Sequence, residues 1–231
     1  MKRILIAVFL VVLALPLHAD LRQQIESRSG WVGYSVPISG NRSICSHDDG
    51  FVVERASSMY VLYHVSNGAI DSIRVSSPQC RSDAPDQWLQ NVDPRDSARL
   101  LRRLVDENGA VSRKAVTPLA LQDGTVDDLI DIARHHSSAR IRGTALFWVS
   151  QAAGDRAASV LKDAVENDPE EDVKARAVFG ISQLPDDQSI PLLVDLLKTN
   201  RSREVRKKAA FWLGQKNDPR ALAALEDILK Q

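Results

Sequence analysis

The sequence contains few of the groups that catalysis or metal binding needs. It has none of the HExxH, GxSxG, Walker, dinucleotide-binding or CxxC patterns. Its 231 residues include only two cysteines and five histidines. We therefore predict a protein that is not an enzyme, that uses no cofactor and that has no small-molecule substrate.

An excess of charge of one sign is also missing. Lys and Arg number 30, and so do Asp and Glu. A neutral chain gives no electrostatic reason to expect nucleic acid as the partner. The hydrophobic fraction of 44% and the charged fraction of 26% are typical of a folded globular protein and argue against disorder.

The one long apolar run lies at the N-terminus. Lys2 and Arg3 precede the apolar stretch 4–15, and Ala19 is a small residue at a suitable cleavage point. This pattern predicts a signal peptide over residues 1–19 and hence a periplasmic or secreted protein. An uncleaved membrane anchor is the alternative, but the run is shorter than the ~20 residues that a bilayer requires. No transmembrane anchor is expected after cleavage.

Both cysteines, Cys45 and Cys80, follow the predicted cleavage site. An even number of cysteines in an exported chain favours a disulfide over the alternative of two free thiols. The Cys45–Cys80 bridge would close a loop of about 35 residues and stabilise the fold by roughly 3–4 kcal/mol in the chain-entropy description.

Residues 20–93 are predicted to form a small β-rich domain that contains this disulfide. The segments 31–38, 51–56, 59–65 and 69–77 are short and rich in β-branched or aromatic residues. Asn67-Gly68 predicts a tight hairpin between the last two segments. Cys45 is placed in the loop before the second strand, and Trp88 and Leu89 lie in a connector where they could dock on the first helices.

From about residue 94 the chain repeats itself every 32 residues. One series consists of IRGTALFWVSQ from Ile141, VKARAVFGISQ from Val173 and VRKKAAFWLGQ from Val205. A second series begins at Thr125, Ala157, Ser189 and Ala221. Each unit is therefore predicted to contain two helices. Stacked helix pairs bury apolar surface that no single pair can bury alone.

The two series predict different positions in the stack. The second series has one apolar stripe, as in Leu222, Leu225, Ile228 and Leu229, and is predicted to form outer helices with one wet face. The first series is apolar nearly all round, which predicts inner helices that are contacted from several directions. The pairs Phe147–Trp148 and Phe211–Trp212 are accordingly interpreted as core, with a ligand platform as the alternative.

The start of each inner helix has an apolar residue, then a basic residue, then an alanine three positions later. These residues are Ile141, Arg142 and Ala145; Val173, Lys174 and Ala177; and Val205, Arg206 and Ala209. In this pattern the units resemble HEAT repeats, in the short form found in many bacterial and phycobilisome-lyase-like repeat proteins. The resemblance implies a mainly α fold over residues 94–231, an α-α superhelix preceded by the small disulfide-linked β-rich domain.

One departure from the family concerns its acidic residues. The family often has Asp six residues before the basic position, and here only Asp168 fits, with His136 and Asn200 in the other two places. A second set of acids, each 11 residues before a basic residue, is predicted to form the interhelical ladder instead. This set is Asp131, Asp163 and Asp195.

Basic residues cluster at the starts of the inner helices, where stacking would align them along one edge. The candidate partner-binding stripe consists of Arg142, Lys174, Arg176, Arg206 and Lys207. Such a stripe would face an acidic partner. The alternative is that these residues pair with acids of neighbouring outer helices.

Three hypotheses for function follow. By fold analogy, the first is a non-enzymatic periplasmic scaffold or adaptor that uses the solenoid surface to bind another protein of the cell envelope. The second is a binder of an anionic envelope polymer or nucleic acid through the basic stripe. The third is a metal-dependent enzyme at the His47 loop, where His47 has Cys45, Asp48 and Asp49 as neighbours.

Overall fold

The computed structural model of the protein describes residues 20–38, 43–47, 50–54, 57–77 and 84–230. The predicted signal peptide, residues 1–19, lies outside the described residues. Cys80 and the Asp48–Asp49 part of the His47 loop lie outside them as well, so the disulfide and the metal hypothesis stay predictions.

The front of the chain folds as a small sheet, a separate hairpin and one short helix. The sheet has the strand order β5-β4-β1-β6, with β1 parallel to β6 and antiparallel to β4, and β2 pairs with β3. The elements are α1 Leu21–Glu26, β1 Gly30–Pro37, β2 Ser43–His47, β3 Gly50–Glu54, β4 Ser58–Ser66, β5 Ala69–Ser76 and β6 Gln87–Trp88. The predicted strands are present, but Cys45 lies within β2 and not in a loop.

The predicted hairpin turn joins β4 and β5. Asn67 has φ 53° and Gly68 has φ 75°, the positive values that a two-residue type I′ turn demands. Asn and Gly are the residues that adopt this conformation at the lowest cost.

The sheet is fixed to the helices by buried side chains. Val32, Tyr34 and Val36 alternate along β1 and are fully buried. The hydroxyl of Tyr34 lies 2.8 Å from the hydroxyl of Tyr63 and 2.8 Å from Oγ of Ser97 on the first solenoid helix. These hydrogen bonds satisfy buried hydroxyl groups that would otherwise lack a hydrogen-bond partner in the core.

From Pro94 onward the structure is a stack of helix pairs. The outer helices are α2 Pro94–Asp106, α4 Val126–His135, α6 Ala157–Asn167, α8 Asp186–Thr199 and α10 Pro219–Leu229. The inner helices are α3 Ser112–Ala120, α5 Ala139–Ala152, α7 Glu171–Ser182 and α9 Arg203–Gly214. Each inner helix packs on the outer helix before it and on the inner helices of neighbouring pairs. The predicted mainly α solenoid is therefore confirmed.

The periodic alanines explain how the inner helices approach one another. Ala145, Ala177 and Ala209 are completely buried, and their small side chains let neighbouring backbones come close. The buried apolar side chains form one cluster that runs from the sheet through the helix pairs. Stacking thus builds a continuous core, as the repeat predicts.

The last outer helix departs from the predicted apolar stripe. Leu222 is 61% exposed, whereas Ile190, its equivalent one repeat earlier, is 2% exposed. Within the described ranges, no helix combines the length and apolar character that crossing a bilayer requires.

Candidate protein-binding face

Arg142, the first residue of the predicted basic stripe, is buried. It is 7% exposed, and its guanidinium donates to the two carboxylate oxygens of Asp168 at 2.7 and 2.9 Å. Its Nη1 also donates to the carbonyl oxygens of His136 and Ser137, at 2.9 and 3.1 Å. The guanidinium therefore has all these partners inside the protein, which corrects the assignment of Arg142 to the partner-binding stripe.

Arg206 has a related structural role two repeats later. It is half-buried, and its Nη1 donates to the carbonyl oxygens of Asn200 and Arg201 at 2.7 and 3.0 Å. These carbonyls lie just beyond the C-terminus of α8, where a positive charge complements the helix dipole. Lys174, in the equivalent position between them, pairs with Glu171 at 3.2 Å.

The position six residues before each of these basic residues also has a common role. Its side chain accepts the backbone N–H two residues ahead, at 3.0 Å for His136, 2.9 Å for Asp168 and 2.9 Å for Asn200. An imidazole nitrogen, a carboxylate and an amide oxygen thus make the same turn before an inner helix. The family's aspartate is replaceable here because this turn needs an acceptor and not a charge.

The predicted 11-residue ladder of acids does not form. Each acid instead pairs with a basic residue on the outer helix of the preceding helix pair. The pairs are Asp131–Arg102 at 2.6 Å, Asp163–Arg134 at 3.6 Å and Asp195–Lys162 at 3.5 Å. They tie successive outer helices together and leave the inner basic residues without these acids.

The buried pair predicts a specific pH dependence. Burial alone would raise the pKa of Asp168, but hydrogen bonds from Arg142 and the N–H of Glu170, with the charge of Arg142, bring it below the ordinary value of an aspartate. A lowered pKa stabilises the fold above the unfolded value near 3.9, and this contribution disappears as the pH falls below about 4. Urea unfolding is therefore expected to show that the wild-type protein has a larger free energy of unfolding than Asp168→Asn, and that this difference is greatest at neutral pH. A difference that stays constant down to pH 3 would contradict this.

Several exposed cations of the inner helices have no ion pair within the described residues, and two of them occupy equivalent positions one repeat apart: Arg176 of the predicted set and Lys208. Both are exposed, and neither has an ion pair among the residues whose structure is described. The stem of Arg176 lies over Gly143, where any β-carbon would collide with Cδ of the arginine. Lys207, also exposed, lies 3.8 Å from Glu204.

Aromatic side chains form a row across three inner helices, which we call the aromatic ladder. Its members are Phe147 and Trp148 on α5, Phe179 on α7, and Phe211 and Trp212 on α9. Ring centroids are 5.1 Å apart for Phe147–Trp148, 6.2 Å for Phe147–Phe179, 5.0 Å for Phe179–Trp212 and 4.9 Å for Phe211–Trp212. Phe147 and Phe179 are stacked, with 4° between their planes.

The predicted core position holds for Trp148 and Trp212, which pack against the core, but not for Phe147 and Phe211. Phe147 is 36% exposed and Phe211 is 55% exposed, while Trp148 and Trp212 are half-buried. The platform alternative therefore fits the exposed rings better. Phe179 is a member that the sequence analysis misses, although the 32-residue step from Phe147 to Phe211 passes through it.

Comparison with known proteins bears on this helical half of the chain. Residues 158–231 match the family model for HEAT repeats. The match spans α6 to the C-terminus and supports a HEAT-repeat protein, in agreement with the resemblance seen in the sequence. No curated protein matches the chain. HEAT repeats commonly mediate contacts between proteins, and solenoids of this kind present extended concave surfaces.

Proposed function

We propose that this chain is a non-enzymatic scaffold or adaptor that binds another protein through the exposed face of its inner helices. The aromatic ladder carries the proposal, because contiguous apolar surface left in water marks an interaction site. Phe211 alone is 55% exposed. Aromatic rings are also enriched among the residues that dominate binding energies.

A photo-crosslinking experiment tests this directly. Benzoyl-phenylalanine in place of Phe211 is expected to yield a discrete adduct with one partner protein in an envelope extract. The matched position is Leu222, which is 61% exposed but lies on an outer helix. If both positions give the same products, the inner face is not a specific binding surface.

We propose further that the protein is exported, periplasmic or secreted, and that its partner belongs to the cell envelope. The N-terminal charge and apolar pattern supports this. Mass spectrometry of the chain expressed from residue 1 is expected to show a mature N-terminus at Asp20. The same mass, measured without reduction, should be lower by two hydrogens because of the Cys45–Cys80 disulfide. An intact N-terminus would instead favour the membrane anchor.

A second candidate is binding of an anionic polymer or nucleic acid. It is favoured by Arg176 and Lys208, which are exposed on the inner helices and have no ion pair within the part of the chain that the structure describes. A polyanion releases counterions on binding, so its affinity would fall steeply with added salt. Affinity for a protein partner that is insensitive to salt would exclude this candidate.

A further inference from the structure

We infer that the partner presents an extended acidic segment with interspersed apolar side chains, which lies across α5, α7 and α9 along the aromatic ladder. This inference rests on the proposed protein-binding function and names the chemistry of its ligand. Three features of the inner face support it: its charge, the side chains that border the ladder, and a cavity at one end.

Basic residues outnumber acidic ones on the inner helices, although the whole chain is neutral. The stretches 112–120, 139–152, 173–182 and 205–214 contain no Asp or Glu. The exposed basic residues of these stretches are Arg113, Lys114, Arg140, Arg176, Lys207 and Lys208, whereas Arg142 is buried and Lys174 and Arg206 are half-buried. Acids on these helices are confined to the first turns of α7 and α9, as Glu171, Asp172 and Glu204. Complementarity of charge therefore favours an acidic ligand.

Cations border the ladder on one side. Arg176 and Lys208 stand three residues before Phe179 and Phe211, and residues with that spacing share a helix face. On α5 the equivalent residue is Thr144. Because neither cation has an ion pair within the described residues, a carboxylate of the ligand would not have to displace an internal acid. Acidic side chains of the ligand are therefore expected on this side.

Uncharged amides border the ladder on the other side. Gln151, Gln183 and Gln215 each stand four residues after a ladder phenylalanine and recur with the same 32-residue step. An amide offers both donors and an acceptor, which suits the backbone of an extended segment. The side chains of Gln151 and Gln183 are each held by a neighbouring serine, at 3.3 and 3.1 Å.

A cavity of about 250 Å³ continues the ladder at its α5 end. Its lining includes Trp148, Gln151, Ile38, Leu121 and Val126, and also Asp123, so this site suits an apolar side chain of the ligand and not an acidic one. It lies where the end of β1 meets the connection between α3 and α4. This cavity offers an apolar side chain of the ligand a concave binding site, which the aromatic ladder itself does not provide.

The dimensions suit a short segment. Three packed helices with axes ~10 Å apart span ~20 Å, and an extended chain advances about 3.3 Å per residue, so about six to eight residues suffice. A globular acidic domain is not required. A second copy of this chain is a poorer occupant because its inner face has the same positive charge.

The test uses the mature chain and three labelled twelve-residue peptides, measured by fluorescence anisotropy. One peptide alternates Glu with Leu and Phe, the second replaces every Glu with Lys, and the third replaces every Leu and Phe with Ser. The first is expected to bind, and the other two at least about tenfold more weakly, since each lacks one half of the recognition.

Variants separate the two contributions. Arg176→Glu with Lys208→Glu is expected to weaken binding of the first peptide about tenfold, and Phe211→Ala to weaken it by a similar factor. The charge control is Arg95→Glu with Lys198→Glu, two exposed cations of outer helices. The apolar control is Leu222→Ala. Both controls should leave the affinity unchanged, and circular dichroism confirms that each variant is folded.

Several outcomes would overturn the inference. Equal binding of the Glu–Ser peptide would identify a polyanion site, and self-association lost in Phe211→Ala would identify a second copy. No binding of the first peptide at about 1 mM, the weak end of measurable affinity, would also count against it. Another outcome is a partner that still crosslinks at residue 211 while its affinity is unchanged by Arg176→Glu with Lys208→Glu. That result would support the scaffold function and refute only the acidic nature of the ligand.

Discussion

Replacing Arg142 with alanine is expected to lower the free energy of unfolding by about 3–5 kcal/mol, because the change leaves the buried carboxylate of Asp168 without its partner. The side chains of this pair are 9% and 6% exposed. The same guanidinium satisfies two carbonyls beyond the end of α4, so one residue links the end of α4 to the connection between α6 and α7 in the next pair. Urea unfolding at pH 7, followed by circular dichroism, measures the loss.

Arg206→Ala is the matched control for this prediction. Arg206 donates to the equivalent pair of carbonyls, but no acid is paired with it among the residues with described structure. Its loss is expected to cost only about 1–2 kcal/mol, the range of a few lost hydrogen bonds. Equal losses for the two variants would show that the carbonyl contacts, and not the ion pair, hold the repeats together.

The pairing of Arg142 illustrates what the sequence could not determine. The three basic residues that start inner helices look alike in the repeat, and Asp168 is visible as the family's acid. Sequence spacing relates Asp168 to Lys174, six residues later. The stack instead brings it to Arg142 in the preceding pair, 26 residues earlier. Distances between repeats depend on how the helices cross, and a periodic pattern does not specify that crossing.

The aromatic ladder shows a similar limit. Periodicity identifies the apolar positions of an inner helix, but it cannot say which of them a neighbour covers. The sequence therefore assigns Phe147 and Phe211 to the core, while the structure exposes both. Gly180 hides the pattern further, because it stands where Trp148 and Trp212 stand in the other repeats. A β-carbon at Gly180 would lie 2.6 Å from Cδ2 of Leu161, so tryptophan does not fit there.

In the front region, the sequence predicts β1, β3, β4 and β5 but misses β2, α1 and β6. β-branched residues and the Asn67-Gly68 turn indicate β4 and β5 well. The helix α1 has six residues and β6 has two, which is too short for a periodic signal. Such elements exist because of tertiary contacts, as when Leu21 and Ile25 of α1 enter the common core.

Leu146→Ala is expected to destabilise the protein by about 2–5 kcal/mol, whereas Phe147→Ala, one residue further, is expected to cost about 1 kcal/mol or less. Leu146 is completely buried on α5, so its truncation opens a cavity between packed helices. Phe147 is 36% exposed, and its truncation removes mainly ring contacts with Trp148 and Phe179. Thermal and urea unfolding of the two variants give the comparison.

This pair of substitutions also tests the orientation of α5, on which the proposed binding face depends. If α5 were rotated so that Phe147 faced the core, the order of the two losses would be reversed. The expected order places Phe147 on the surface and predicts that Phe147→Ala weakens partner binding while the protein stays folded.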